Sequence, residues 1–167
     1  MAERRDEEFR EFVAGSQRRL LYAADLLTGD RGRAEDLVQQ ALLKTYLAWG
    51  RVRSGTAEAY ARAVIVNGHT DWWRRRFWRE RSVEHPPDRP VPGDVADALA
   101  RREAVLRALS RLTRRERAVV VLRYYLDLTE AQTACELSCP VGTVKSAAAR
   151  ALAKLRTDPE LRAEVTS

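Results

Sequence analysis

The sequence predicts an all-α protein built from two small helical domains. Apolar residues recur at three- and four-residue steps along most of the 167-residue chain, which is the period of amphipathic helices. Residues 82–97 break this period with SVEHPPDRPVPGDVAD, which holds four of the six prolines. Because proline lacks a backbone donor and favours extended chain, we predict that this segment is an acidic, proline-rich linker. The β-branched run at 119–121 has no second strand to pair with, so a buried helical segment is predicted there.

Three helices are predicted in the first domain, residues 1–81. The first helix keeps apolar residues at helical spacing up to Leu27 and ends at Gly29, a typical stop residue. The second helix covers residues 34–49, and the third covers residues 60–81 after a glycine-containing loop.

The second domain, residues 98–157, begins with two predicted helices and ends in a helix-turn-helix pattern. Thr129 can cap the first helix of this pattern, and Pro140 stands just before the second helix, residues 142–156. Two short helices joined by three or four residues are typical of the motif that places its second helix in the DNA major groove. Residues 158–167 are predicted to be a C-terminal tail.

One face of the second helix has the composition that DNA recognition requires. Projection at 100° per residue places four residues inside: Val144, Ala148, Ala151 and Leu155. The opposite face holds Thr143, Ser146 and Arg150, with Ala147 and Lys154 beside them. Residues 142–156 contain four cations and no acid, and arginine can fork onto guanine in the major groove. An ordinary amphipathic surface helix is the alternative, but the turn, the proline and the outer face together favour DNA recognition.

The end of the third helix combines aromatic residues with arginines. Residues 64–81 contain three of the four tryptophans and five arginines. Projection places Ile65 and Trp72 inside the fold, and it places outside Asn67, Asp71, Arg74 and Trp78. Because arginines bind phosphates while aromatic rings stack on bases, we predict that the arginines contact nucleic acid. For Phe77 and Trp78, core packing and base stacking both remain open.

Composition and charge exclude several classes of protein. Thirty Lys and Arg against 24 acids give a formal net charge of +6, which favours a polyanionic partner. Twenty-seven of the 30 are arginines, which either a GC-rich genome or selection for the guanidinium group explains. No apolar run exceeds five residues, no secretory signal begins the chain, and two cysteines cannot form a disulfide framework. We therefore predict a cytoplasmic protein with no membrane partner.

No catalytic or metal site is predicted. Cys135 and Cys139 are four residues apart, but the turn at Pro140 separates them and no nearby histidine completes a zinc set. They are predicted to be small buried thiols. The sequence contains no pattern of a Ser-His-Asp triad, a glycine-rich phosphate loop or paired carboxylates. We therefore expect neither a metal nor a cofactor, and no enzymatic activity.

Four motifs follow one another along the chain. They are LLTGDRGRAEDLVQQALLKTYLAWGRV (26–52), YARAVIVN (60–67), DWWRRR (71–76) and LRYYLDLTEAQTACELSCPVGTVKSAAARALAKLR (122–156). In order and spacing, over residues 9–156, they resemble the extracytoplasmic-function (ECF) sigma factors of the sigma-70 family, and among these the actinobacterial SigE-like subgroup. The resemblance implies a sigma-2-like domain, a sigma-4-like domain and the function of a promoter-specificity subunit of RNA polymerase.

The resemblance also implies a role for each motif. The residues expected to bind core RNA polymerase are Asp36, Leu37, Gln39 and Gln40. The residues expected at the −10 element are Tyr60, Asn67, Asp71, Arg74, Arg75 and Arg76, with Asn67 holding a flipped base and the loop 53–60 setting its identity. The residues expected at the −35 element are Thr143, Lys145, Ser146 and Arg150. The implied partners are promoter DNA, the β and β′ subunits of core polymerase, and an anti-sigma factor as a further candidate.

Several residues depart from the family pattern. Gln40 stands where glutamate is common, and Ala147 stands where many members have arginine, so one −35 contact is predicted to be missing. Ala149 is small where a bulkier residue is common, and Ser138 occupies a turn position that glycine would suit better. Two other functions stay open at this point: a polymerase-independent helix-turn-helix regulator, and an RNA-binding module that uses the arginine-tryptophan helix.

Overall fold

The computed structural model describes residues 2–52, 54–77 and 94–166. These residues form eight α-helices, and no strand occurs among them, so the all-α prediction is confirmed. A 3-10 turn precedes α3, and a π-helical turn at Val121–Tyr125 extends α5, so the β-branched run at 119–121 is helical as predicted. The helices are α1 (Ala2–Thr28), α2 (Arg31–Leu47), α3 (Ala57–Phe77), α4 (Asp94–Ser110), α5 (Arg114–Val120), α6 (Glu130–Glu136), α7 (Val141–Arg156) and α8 (Pro159–Thr166).

Two predicted boundaries differ from the structure. Helix α4 begins at Asp94, so the predicted linker, residues 82–97, extends four residues too far. Asp94 and Asp97 lie in the first turn of α4, where the helix dipole favours carboxylates, and the prediction counted them as linker charges. The rest of that linker and the predicted end of α3 lie outside the described residues.

The segment after Arg156 contains a docked helix where a tail was predicted. Pro159 is the first residue of α8, a position that suits proline because its missing N–H would have no partner there. Two arginines bind acids at the start of α8: one lies in the last turn of α4 and the other directly after that helix. Arg107 Nε donates to Glu160 at 2.6 Å, and Arg111 forms ion pairs with both Asp158 and Glu160.

Helices α1, α2 and α3 form the first half of the molecule. Gly29 ends α1 with a φ of +67°, and Asp30 caps α2 by accepting a hydrogen bond from the Arg33 amide at 3.1 Å. Helices α2 and α3 approach closely at Gly68, where an added Cβ would lie 2.9 Å from a methyl group of Leu37. This packing buries one apolar stripe of each helix and leaves the opposite face of α2 in solvent.

Helices α5, α6 and α7 form the helix-turn-helix region. Thr129 and Gln132 form a capping box at the start of α6, which confirms Thr129 as the predicted cap. Ala134 on α6 packs with Val144 and Ala147 on α7, and the small side chains let the two helices cross closely. The turn between them contains Ser138, whose φ of +50° is unusual for a residue other than glycine.

The two halves pack against each other through one shared apolar core. Residues of α1, including Leu26, belong to the same buried cluster as Leu122 in the extension of α5. Tyr22 and Tyr125 place their ring centroids 5.0 Å apart across this contact. Asp25, whose side chain is 3% exposed, forms ion pairs with Arg31 of the first half and with Arg102 of the second. The predicted two-domain organisation therefore forms a single packed body in the described residues.

Replacing Ser138 with glycine is expected to stabilise the protein by about 1 kcal/mol, because the left-handed conformation strains every side chain that has a Cβ. Urea unfolding followed by circular dichroism measures the change. Ser146→Gly, inside α7, is the control and should destabilise the protein by roughly 0.5–1 kcal/mol. A loss of stability in Ser138→Gly would contradict the strain argument.

Candidate nucleic-acid interface

Helix α7 presents most of the residues predicted to contact the −35 element. Lys145, Ser146 and Arg150 are exposed on this helix, and Thr143 is half-buried. Ala147 is 0% exposed and packs in the α6–α7 crossing, so its predicted place beside the outer face is wrong. Because the position points into the domain, the missing −35 contact inferred for Ala147 is also wrong.

Three of the four cations of α7 are paired with acids from the neighbouring helices. Lys145 Nζ lies 3.7 Å from a carboxylate oxygen of Glu130 on α6. Glu116 on α5 accepts a 2.7 Å hydrogen bond from Lys154 and lies 3.4 Å from Arg150 Nε. The hydrogen bond from Lys154, with that from the Thr113 amide and the nearby Arg150 guanidinium, holds the pKa of Glu116 below its usual range. Glu116 is not among the predicted residues, because a count of charges along α7 alone does not include acids of α5.

Helix α3 presents an exposed polar face where the −10 contacts were predicted. Asn67, Asp71, Arg74 and Arg75 are exposed, and Tyr60 is 37% exposed at the start of the helix. Arg74 forms an ion pair with Asp71 at 3.3 Å, which leaves both side chains more than half exposed. None of the described residues hydrogen-bonds the Asn67 side chain, so its amide is available to a ligand. The side chains of Arg76, Phe77 and Trp78, and residue Arg53 of the predicted base-reading loop, lie outside the described part.

An aromatic cluster lies on the other side of α3, against α2 and α5. The Arg33 guanidinium stacks 3.3 Å from the ring centroid of Trp72, which is half-buried where a core position was predicted. Trp73 donates to Nε2 of His69 at 3.2 Å, and Arg114 of the second half lies 4.2 Å from a Trp73 ring centroid. The cluster therefore forms part of the contact between the two halves.

His69 is buried next to three arginines. Burial lowers the pKa of His69 to about 4, and the charges of Arg33, Arg117 and Arg114 contribute in the same direction. Two of these arginines belong to α5, so the second half helps to keep the imidazole neutral.

Acidification between pH 6.5 and pH 4 is expected to destabilise the packed structure through His69. The unfolded state, with the higher histidine pKa, binds the proton first, so up to about 3 kcal/mol of stability present above pH 6.5 is lost as the pH falls to 4. Urea unfolding at pH 7, 5.5 and 4 measures this loss. His69→Gln keeps a hydrogen-bond acceptor without titrating, and it should lose less stability over the same interval. Equal losses in both proteins would refute the prediction.

The exposed face of α2 carries the predicted polymerase-binding residues and two exposed leucines that the predicted set does not include. Asp36, Gln39 and Gln40 are exposed, whereas Leu37 is half-buried and faces α3. Leu43 and Leu47 continue this face, and these residues are 59% and 68% exposed. Helical spacing would have revealed them, because both lie off the buried stripe that contains Val38, Ala41 and Thr45.

The two cysteines differ from their prediction. Cys135 is exposed and Cys139 is half-buried, because Cys135 lies on the outer face of α6, away from α7. Within residues 2–52, 54–77 and 94–166, no cluster of three or more metal-ligating side chains forms. Over the same residues, no helix has both the length and the apolar character needed to cross a bilayer.

Comparisons with known proteins agree with this division into two halves. Residues 12–79 match the family described as Sigma-70 region 2, and residues 102–155 match the family described as Sigma-70, region 4. The chain is 40% identical over 156 residues to the RNA polymerase sigma-E factor of Streptomyces avermitilis, covering 93% of this chain and 87% of that protein. It is 35% identical over 141 residues to the ECF RNA polymerase sigma factor SigL of Mycobacterium tuberculosis, covering 78% and 76%.

Solved structures share the fold. The sigma factor RpoE of Bartonella quintana, solved with the anti-sigma factor NepR, aligns with a TM-score of 0.66 and 23% identity, covering 90% of this chain and 95% of that one. CnrH, solved with the cytosolic domain of CnrY, aligns with a TM-score of 0.62 and 21% identity, covering 89% and 84%.

Regions 2 and 4 on one helical chain, with an exposed recognition helix, define a sigma factor. The chain belongs to the extracytoplasmic-function sigma factors of the sigma-70 family, in the group that resembles the actinobacterial sigma-E factors. Sigma factors bind core RNA polymerase and promoter DNA and direct the initiation of transcription.

Proposed function

We propose that this protein gives core RNA polymerase its promoter specificity through three separate surfaces. Helix α7 reads the −35 element, the exposed face of α3 opens and holds the −10 element, and the exposed face of α2 binds core polymerase. The observation that carries the proposal is that a cationic recognition helix and a second exposed basic helix occur on one chain whose relatives are sigma factors.

Helix α7 has the shape and charge for the −35 role. Its exposed residues Lys145, Ser146 and Arg150 combine short side chains with cations, so the helix can approach the floor of the major groove. The exposed Arg150 supplies the group that forks onto guanine, and Lys145 supplies charge for phosphate.

Helix α3 supplies the −10 role. The Asn67 amide, which makes no hydrogen bond among the described residues, offers both a donor and an acceptor to the edge of an unstacked base. Arg74 and Arg75, both about two turns further along, bring positive charge to the adjacent backbone. Asp71 pairs with Arg74 and holds that guanidinium near the helix.

The exposed face of α2 is proposed to bind the β and β′ subunits of core polymerase. Asp36, Gln39 and Gln40 supply polar contacts, and Leu43 and Leu47 supply apolar area that water covers in the isolated chain. A polar and apolar mixture of this kind is typical of protein interfaces. An anti-sigma factor is a further proposed partner, supported by the solved complex of RpoE, a protein of the same fold, with the anti-sigma factor NepR.

Reconstitution with purified core polymerase tests the proposal. Sequencing of run-off transcripts from genomic fragments should show starts at a small set of promoters that share −35 and −10 sequences. Core polymerase alone is the control and should give no such set. Failure to form a complex with core at micromolar concentration would refute the proposal.

A polymerase-independent helix-turn-helix regulator is the alternative function. The match of residues 12–79 to Sigma-70 region 2 does not favour it, because such a regulator has no use for that half of the chain.

A further inference from the structure

Glu116 on α5 is a buried carboxylate that contacts two cations of the recognition helix. Its side chain is 4% exposed, and a glutamate is rarely buried to this extent unless it is paired. One oxygen, Oε1, lies 3.4 Å from Arg150 Nε. The other, Oε2, accepts hydrogen bonds from Lys154 Nζ at 2.7 Å and from the Thr113 amide at 3.0 Å.

The contact with Thr113 accounts for only part of this arrangement. Glu116 is the third residue of α5 and forms the capping box with Thr113, and glutamine serves equally well at that position. A negative charge is therefore not needed for the cap, and burying it is unfavourable unless cations compensate it. The charge of Glu116 is directed to Arg150 and Lys154, both of which come from α7.

Pairing through Nε restrains Arg150 without occupying the nitrogens that read a base. The Arg150 side chain remains 58% exposed, and the fork that binds guanine uses the terminal nitrogens of the guanidinium. An arginine that is already restrained loses less conformational freedom when it binds its target. Lys154 compensates the second oxygen of Glu116, so the carboxylate does not depend on Arg150 alone.

We propose that Glu116 is a positioning residue for −35 recognition, which holds Arg150 from α5 so that its terminal nitrogens are presented to a base edge. The inference rests on the proposed role of Arg150 at the −35 element. It adds a residue outside the recognition helix to the set that determines promoter choice.

The test uses holoenzyme reconstituted from core polymerase and full-length protein. A promoter found by run-off transcription is compared with versions that carry each single base-pair substitution in its −35 element. The affinity ratio at a base pair is the affinity for the original promoter divided by that for the version substituted there. In the otherwise wild-type protein, Arg150→Ala should reduce this ratio at one base pair by roughly 5- to 150-fold. Glu116→Gln should reduce the same ratio by about threefold to tenfold and leave the ratios at other base pairs unchanged. In the double variant, Glu116→Gln should add nothing to Arg150→Ala.

Two control variants separate positioning from stability and net charge. Thr113→Ala loosens the same capping box but keeps the charge of Glu116. Glu103→Gln removes one negative charge from α4. Its ion-pair partner Arg107 keeps a second acidic partner, Glu160, at 2.6 Å. Both should leave every −35 ratio unchanged. Because a ratio of affinities does not depend on the unfolded fraction, modest destabilisation does not obscure the result. Glu116→Asp keeps the buried charge but withdraws it from Arg150, and it should lower the same ratio.

The outcomes distinguish two kinds of failure. If Arg150→Ala reduces a −35 ratio and neither Glu116 variant does, Glu116 has a structural role alone and the positioning proposal is overturned. The same conclusion follows if Glu116→Gln weakens binding to all promoter versions equally. If Arg150→Ala itself changes no ratio, the proposed −35 role of Arg150 fails, and the positioning proposal fails with it for that separate reason.

Discussion

The double substitution Leu43→Asp and Leu47→Asp is expected to weaken binding to core RNA polymerase by about 100-fold, because interface hot spots contribute roughly 2–4 kcal/mol. Both leucines are exposed on α2, on the same face as Gln39 and Gln40, so binding would bury apolar area that is now in water. Aspartate at these positions would place unpaired charges in that interface. Biolayer interferometry with immobilised core polymerase gives the dissociation constant.

The matched control places two aspartates on the exposed face of α1, at Ala14 and Gln17. Like the α2 variant it adds two acids to helical positions of the first half, so general effects of charge and helix propensity are similar. The control should bind core polymerase like the wild type, and both variants should keep the helical circular dichroism spectrum. If the two variants bind core polymerase equally, the exposed face of α2 is not the polymerase-binding surface.

Asn67→Ala is expected to reduce opening of the −10 element by about 5- to 150-fold while core binding stays unchanged, since the contacts that read one base contribute roughly 1–3 kcal/mol. The Asn67 amide is exposed and unbonded among the described residues, so its removal costs the isolated protein little. Permanganate reactivity of unpaired thymines measures opening, and interferometry measures core binding.

Thr70→Ala is the control for Asn67, because Thr70 is exposed on the same helix and its hydroxyl donates to the carbonyl of Val66 at 2.9 Å. It should leave both promoter opening and core binding near wild-type values. Loss of core binding in Asn67→Ala would show that the residue supports the structure of the first half. The proposed contact with a flipped base would then be wrong.

Local signals in the sequence were enough to predict the helices and several of their ends. Thr129 lies next to the residues that it caps, and Gly29 next to the helix that it ends, so neighbouring residues specify both. The positive φ of Ser138 was also predictable, because the turn between two closely crossing helices requires it. The alternation of exposed and buried positions along α3 likewise follows from its helical period.

Contacts between distant parts of the chain could not be predicted in this way. The Arg117 guanidinium donates to the carbonyl of Leu26, 91 residues away, and no local pattern marks that pair. Ala147 lies within about 60° of Val144 on the helical projection, at the edge of the buried face, and its burial depends on where α5 and α6 pack. Glu116 was missed for the same reason, since its partners on α7 come from a later part of the chain.

The shared core of the two halves limits how the protein meets a promoter. By their names the −35 and −10 elements lie about 25 base pairs apart, or roughly 85 Å along B-form DNA at about 3.4 Å per base pair. A packed chain of this length has a radius of gyration of about 15 Å. The form in which the two halves share a core therefore cannot reach both elements at once. Binding of both therefore requires a population in which Leu26 and Leu122 no longer share a core. The apparent affinity for the whole promoter is proportional to the fraction of molecules in which the two halves have separated. Substitutions far from any DNA contact, at Asp25 or Arg117, would then change promoter occupancy by shifting that fraction.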